Sequence, residues 1–326
     1  MTLTWGVAGT GRIARDVGAL IAQHPSMRVA AVGSRDQGRA TALARELTAD
    51  RAHASYELLV QDPAVQAVYV ATPHSEHAPV VEAALLAGKA VLCEKPLTAE
   101  LGETLRLVAL AEQTGGFLME AMWMRFNPLV RRLQVLVQEG MLGEIRSLRA
   151  CFGFASAYDP TARLWDPALG GGALLDIGIY TADLARLLLG DPSHVDAAGS
   201  LARNGVDAES TMTLTWPSGA KALLDQSLLT RLPGTALLVG SGGWAELGPS
   251  FHAPTLLRLQ TGAEVVEHRN ADRQAGFIGE LEEVARCVAE GRSQSAVMPL
   301  SESVATMRLL HEARSRLDER AAPAGS

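Results

Sequence analysis

Through the first third of the chain, short apolar runs alternate with stretches whose apolar residues recur every three or four positions. Leu3 to Ala8 is the first run; Gly9-Thr10-Gly11 breaks it, and Ile13, Val17, Leu20 and Ile21 then recur at helical spacing. Val29 to Val32 is a second run, followed by a helical stretch through Ala40, Leu43 and Leu47. Val68 to Ala71 is a third, with Pro79 just before an apolar helix ending at Gly88. Ala90 to Cys93 follows at once, then Glu94-Lys95-Pro96, a helix around Leu101 to Ala111, and a closing run from Phe117 to Met119. Short apolar runs separated by helices predict βαβ units and a parallel sheet covered on both faces.

Beyond about residue 122 the rhythm changes. Ile145 to Phe154, Ser210 to Trp216, Ala220 to Leu229 and Ala236 to Gly240 read as consecutive strands, with Pro217-Ser218-Gly219 as a hairpin turn. A helix over Ala173 to Leu189 interrupts them, and two amphipathic helices, Phe277 to Ala289 and Leu300 to Leu317, finish the chain before a Pro/Gly/Ala tail. The pattern predicts an α/β Rossmann-type domain over residues 1–121. An α+β domain over residues 122–326 follows, built on a large, mostly antiparallel open sheet.

Composition narrows the classes. The 326 residues are 48% hydrophobic and 20% charged, which suits a globular protein of two domains. A net charge of −7 argues against a nucleic-acid binder, and no apolar run approaches the roughly 18 residues of a membrane helix. Cys93, Cys151 and Cys287 stand too far apart for a disulfide framework and show no CxxC spacing. With no basic leader before the first run, a cytoplasmic location is expected. The acidic total hides an asymmetry: residues 1–45 carry six arginines against two aspartates, a local +4, leaving −11 for the remainder.

Gly9-Thr10-Gly11-Arg12-Ile13-Ala14 is G-x-G-x-x-A between a strand and an amphipathic helix, the context that makes it a dinucleotide phosphate loop. Gly9 allows the tight turn, Gly11 lets the backbone approach a pyrophosphate, and Ala14 permits close helix packing. The acid that usually holds the ribose belongs about 20 residues on. Gly33-Ser34-Arg35 stands there instead, with Asp36 three residues past Gly33. Ser34, Arg35 and Arg39 therefore favour the 2′-phosphate of NADP over NAD, the competing reading being that the two arginines are merely solvated.

Glu94-Lys95-Pro96 follows a buried strand at the sheet edge where a nicotinamide would lie. Gly170-Gly171-Gly172 opens a helix on which Asp176 and Tyr180, four apart, share one face. Together with Glu120-Ala121-Met122-Trp123-Met124-Arg125-Phe126, these motifs resemble the Gfo/Idh/MocA oxidoreductase family. Within it they are most similar to the dimeric dihydrodiol dehydrogenase and NADP-dependent D-xylose dehydrogenase branch. The resemblance is specific up to about residue 181 and rests on element order beyond. Many members of the family carry His four residues after the Asp; this chain has Tyr180.

The resemblance implies that Lys95, Asp176 and Tyr180 are catalytic. Tyr180 is then the acid/base, Lys95 the cation that lowers its pKa, and Asp176 the group orienting Lys95 or a substrate hydroxyl. It also implies a cis Lys95–Pro96 bond, and a contact to the nicotinamide ribose from Thr72, Pro73, His74 and His77. His74 and His77 lack a third ligand at a diagnostic spacing, so no metal is expected. Trp123, Arg125, Phe154 and Trp165 read equally as walls of a sugar- or diol-binding cleft and as packing residues; Arg163 reads equally as a substrate contact and a solvated loop residue. The expected function is an NADP-dependent oxidoreductase of an aldose such as xylose or glucose, or of a vicinal diol. It would assemble as a homodimer or homotetramer through the second domain's sheet. The alternatives are a reductase of a ketose or dicarbonyl sugar and a non-catalytic NAD(P)-sensing regulator.

Overall fold

The structure, a computed structural model, describes residues 2–321. The chain divides into two compact units. The first comprises Met1–Trp123 and Phe277–Val304, the second Met124–Gly276 and Ala305–Ser326. A single boundary between residues 121 and 122 thus leaves out the return of Phe277–Val304 to the first unit, where Leu281, Val284, Cys287, Met298 and Leu300 are buried.

In the first unit β1 (Leu3–Ala8), β2 (Met27–Gly33), β3 (Arg51–His53), β4 (Ala67–Val70), β5 (Ala90–Glu94) and β6 (Leu118–Ala121) form one sheet in the order β3-β2-β1-β4-β5-β6. Every pairing is parallel. The connecting helices are α1 (Arg12–Gln23), α2 (Gln37–Glu46), α3 (Tyr56–Gln61), α4 (His77–Leu86) and α5 (Leu101–Thr114). β4 and β5 are buried along their whole length, as expected of strands covered on both faces. The strand order reverses between β1 and β4, so ligands of such a sheet bind where the loops after β1, β2, β4 and β5 gather.

The second unit opens with α6 (Pro128–Gln138), capped by the Asn127 side chain. Its sheet contains β7 (Ile145–Gly153), β8 (His194–Leu201), β9 (Asp207–Thr215), β10 (Lys221–Ser227), β11 (Ala236–Gly240), β12 (Gly243–Leu247), β13 (Leu256–Gln260) and β14 (Val265–Arg269). The order is β14-β13-β12-β11-β7-β10-β9-β8, antiparallel except for the β7–β10 pair. α7 (Ile179–Leu189) packs on β7 and β10. One row across the other face runs Thr213, Leu223, Arg149, Leu237, Glu246, Arg258 and Glu267 by strand register. The helix expected from Ala173 starts with one wide π turn, Leu174–Gly178, before α7. Finally α8 (Ala275–Ala289) and α9 (Leu300–Ala321) close the chain.

Candidate active site

The loop after β1 has the form its glycines require. Gly9 has φ +118°, and a Cβ there would overlap the Ala71 carbonyl oxygen. Gly11 N-caps α1 with no side-chain cap and no acid in the first turn, and a Cβ on it meets nothing within 4 Å. The helix therefore presents unfilled amides across open space, with Thr10, Arg12 and Ile13 beside them and Ala14 buried against the sheet.

At the end of β2 the buried Ser34 side chain accepts from the Asp36 amide at 3.2 Å. Asp36 is turned away into the cap of α2, its Oδ1 accepting from the Arg39 amide at 2.9 Å. No carboxylate pairs with Arg39 or Arg12 among the described residues. Arg35 reaches Glu76 at 3.4 Å. Tyr56, the first residue of α3, lies close enough to Arg35 and Arg39 for both cations to bear on its phenol, although burial is the larger influence and raises its pKa. Tyr56 carries no motif and was not identified from the sequence.

Below β4, Thr72 is buried, and its Oγ1 has no hydrogen-bond partner in the protein. Pro73 begins a short turn holding His74, whose ring lies edge-on to His77 at 5.7 Å. His77 is completely buried. Its Nδ1 lies 2.9 Å from the Pro96 carbonyl and its Nε2 3.0 Å from the Thr72 carbonyl. His77, expected at a cofactor contact, thus lies with both ring nitrogens facing carbonyls, between the β4 loop and the Glu94-Lys95-Pro96 loop. Burial, assisted by the Lys95 charge, lowers its pKa to about 4, so the ring is neutral.

The Lys95–Pro96 peptide is cis. Glu94 is buried and accepts from the Tyr69 hydroxyl at 2.5 Å, while its other oxygen lies 3.3 Å from the Lys95 amide. Glu120 accepts from the Leu97 amide at 2.9 Å. Glu280, on α8, is fully buried; neither carboxyl oxygen has a hydrogen-bond partner, and burial together with the Glu94 charge pushes its pKa well above the carboxylate range. Trp123 stacks on Phe277 at 4.2 Å. Cys93 is fully buried, its thiol pushed far up by burial, which suits a small core residue. Among the described residues no group of three or more His, Cys, Asp or Glu is arranged to hold a metal ion.

In the second unit Asp176 lies on the π turn and Tyr180 one residue into α7. Asp176 is buried, and its Oδ1 takes the Arg163 guanidinium at 3.0 Å. Tyr180 packs in an aromatic cluster, 5.9 Å from Phe152 and 5.3 Å from His252. His252 itself stacks on Phe152 at 4.2 Å, and Phe154 lies 6.4 Å from Phe152. His252 belongs to a loop with no sequence signal. Two residues that read equally as cleft walls and as packing are buried. Trp165 is 1% exposed in an apolar cluster with Ile177 and Leu228, its Nε1 on Ser156 Oγ at 3.3 Å. Arg125 is 3% exposed and grips Asp183 through Nε at 2.9 Å and Nη2 at 2.6 Å. A buried ion pair of that geometry fixes the fold locally.

Residues 3–122 match the model of an oxidoreductase family with an NAD-binding Rossmann fold, and residues 130–246 match the GFO/IDH/MocA C-terminal domain. Trans-1,2-dihydrobenzene-1,2-diol dehydrogenase of Mus musculus is 36% identical over 96% of both chains. The chain belongs to the Gfo/Idh/MocA oxidoreductase family. Among solved members, the aldose-aldose oxidoreductase of Caulobacter crescentus, complexed with glycerol, superposes with a TM-score of 0.90. The identity is 26%, over 98% of each chain. KijD10, a 3-ketoreductase of Actinomadura kijaniata in complex with NADP and TDP-benzene, gives a TM-score of 0.87 at 28% identity, covering 97% of this chain and 98% of that one. As a Gfo/Idh/MocA protein the chain is an oxidoreductase that binds a nicotinamide dinucleotide on its first unit.

Proposed function

We propose that the chain is an NADP-dependent dehydrogenase of a sugar or a vicinal diol. The turn after β2 carries the cofactor reading. Asp36 is spent on capping α2 and Glu76 engages Arg35 at 3.4 Å, which leaves Ser34, Arg39 and the Tyr56 hydroxyl, with Arg35 shared, to receive a 2′-phosphate. The uncapped amides of α1 and the orphaned Thr72 hydroxyl fit a pyrophosphate and its ribose. When bound, the nicotinamide supplies the hydride acceptor or donor. Tyr180 exchanges the proton of the reacting hydroxyl, the Lys95 ammonium supplies the charge that brings a phenol into working range, and Asp176, with Arg163, orients a substrate hydroxyl. The sugar or diol class is supported by the names of the relatives. The mouse relative is named as a dehydrogenase of a dihydrobenzene diol, and the Caulobacter neighbour as an oxidoreductase of aldoses.

The row of half-buried Thr213, Leu223 and Leu237, with the exposed Arg149 among them, supports self-association through the second unit's sheet. Nicotinamide absorbance with NADP⁺ or NAD⁺ and a panel of aldoses, polyols and diols tests the whole reading. Turnover with at least one of them, faster with NADP⁺, is expected. Better turnover with NAD⁺ defeats the cofactor assignment, and tight cofactor binding without turnover of any substrate points to a sensor.

A further inference from the structure

Asp207, the first residue of β9, is 2% exposed, and its carboxylate reaches back into the polyglycine turn. Its Oδ2 accepts from the Leu174 amide at 2.6 Å, the first amide of the π turn. Its Oδ1 takes the Arg314 guanidinium from α9 at 3.1 Å, and Arg314 also donates to the Gly205 carbonyl at 2.7 Å. Gly172 has φ +127°, and a Cβ there would overlap Asp207 Oδ1, so the turn is shaped around this carboxylate. Next along the chain, the Asp176 amide donates to the Gly172 carbonyl at 3.1 Å. One buried acid thus holds the start of the segment that carries Asp176 and then Tyr180. A π turn has poorer hydrogen-bond geometry than an α turn and is retained where it places functional side chains, so it gains most from an external anchor.

We propose that Asp207 and Arg314 are positioning residues for Asp176 and Tyr180, and that proton uptake by Asp207 releases the turn that holds them. The proposal rests on the assignment of Asp176 and Tyr180 to the reaction. Protonation turns a charge-assisted bond to the Leu174 amide into a neutral one of roughly half the strength. Release of the turn takes away that amide, which lowers the Asp207 pKa, while the carboxyl stays buried, so the released form holds the proton more tightly and uptake favours release. Burial raises the Asp207 pKa against the Leu174 amide and Arg314, which lower it, and the balance lies at about 6. The charged groups around it are few. Arg314 faces it from α9 and is shared with Asp318 at 3.0 Å; Asp176 lies on the turn, engaged by Arg163 at 3.0 Å; the residue opposite on β8 is Leu201.

Hydrogen exchange of residues 172–178, corrected for the intrinsic pH dependence, is measured at about pH 5 and about pH 8 alongside kcat against pH. In the native protein protection of this segment falls about tenfold or more toward pH 5, and kcat loses activity over the same range. Asp207→Asn exchanges fast at both pH values and has a low kcat with no acid limb, while its NADPH affinity is unchanged. Arg314→Met moves both midpoints to higher pH, because the carboxylate has lost its cation. Protection independent of pH in the native protein, or an Arg314→Met midpoint that does not move, overturns the proposal. Exchange is read without substrate, so a wrong substrate assignment leaves this test intact. If Asp207→Asn does not fold, the native and Arg314→Met profiles still decide.

Discussion

Lys95 is one of three lysines in a chain whose 29 basic residues are otherwise arginine. Arginine binds anions well but never gives up its proton, whereas an ammonium is compact and responds to its surroundings. The proposed role of Lys95 uses the second kind of charge. Tyr180→Phe is expected to lower kcat by about 10²–10⁴ with cofactor affinity unchanged, and Lys95→Arg not to restore a Lys95→Ala loss; steady-state kinetics with a fluorescence titration of NADPH checks both. Near-normal turnover in Tyr180→Phe moves the acid/base role to Lys95. Glu280 carries a different prediction. Its folded pKa is raised, so the native state must hold a proton that the unfolded chain gives up, and stability is lost as pH rises above the free-carboxyl value. Glu280→Gln removes that burden. Thermal melts should show it more stable than the native protein at about pH 8, with the gap closing as pH falls toward about 4. Glu280, Tyr56 and His252 escaped sequence reading for a shared reason: each is a single residue of a common type, given meaning only by partners distant in the chain. Lys95, Asp176 and Tyr180 could be put forward from the sequence because glycines and a strand end frame them locally. His77 was legible as part of that frame but its direction was not, since only the fold turns its ring inward.

At the scale of elements, the cofactor proposal gives the turn between β2 and α2 the choice of dinucleotide. Ser34→Asp places a carboxylate where a 2′-phosphate would lie. KM for NADP⁺ should rise at least about tenfold while KM for NAD⁺ holds or falls, since like-charge contact and a lost hydrogen bond together exceed about 1.4 kcal/mol. Unchanged selectivity removes the turn from the discussion of specificity. The buried parallel strands β1, β2, β4 and β5 were readable because unbroken apolar runs have few other interpretations. By contrast β8, β12, β13 and β14 alternate weakly, with Glu246, Arg258 and Glu267 paired across their exposed face, so their composition resembles loop. The dense Leu/Val run of α6 fits either period. Its helical state follows from the Asn127 cap, Pro128, and the burial of Leu129, Val130, Leu133 and Leu136 along one stripe.

Across the whole molecule, charge distribution says more than charge total. Arg15 and Arg28 of the positive amino-terminal segment are answered by Glu46 at 2.9 Å and Asp50 at 2.7 Å, whereas Arg12 and Arg39, at the starts of α1 and α2, have no carboxylate partner among the described residues. Association through the second sheet predicts a mass of twice or four times 34.5 kDa by light scattering. Leu223→Asp together with Leu237→Asp should shift it toward the monomer; a native monomer excludes that role for the sheet.

The return of Phe277–Val304 to the first unit also sets a timetable. β6 is the edge of the parallel sheet, and its Leu118 amide is taken by the Ser293 carbonyl at 3.3 Å, while Leu300 packs into the same core as Val91 and Leu118. A chain growing from the ribosome completes the strands of this sheet by residue 121, yet must add residues 124–304 before the edge is covered. At about 5–20 residues per second that is roughly 10–40 s with the outer edge of β6 exposed. Nascent chains stalled anywhere in that interval should therefore recruit holding chaperones, and those released past Val304 should not.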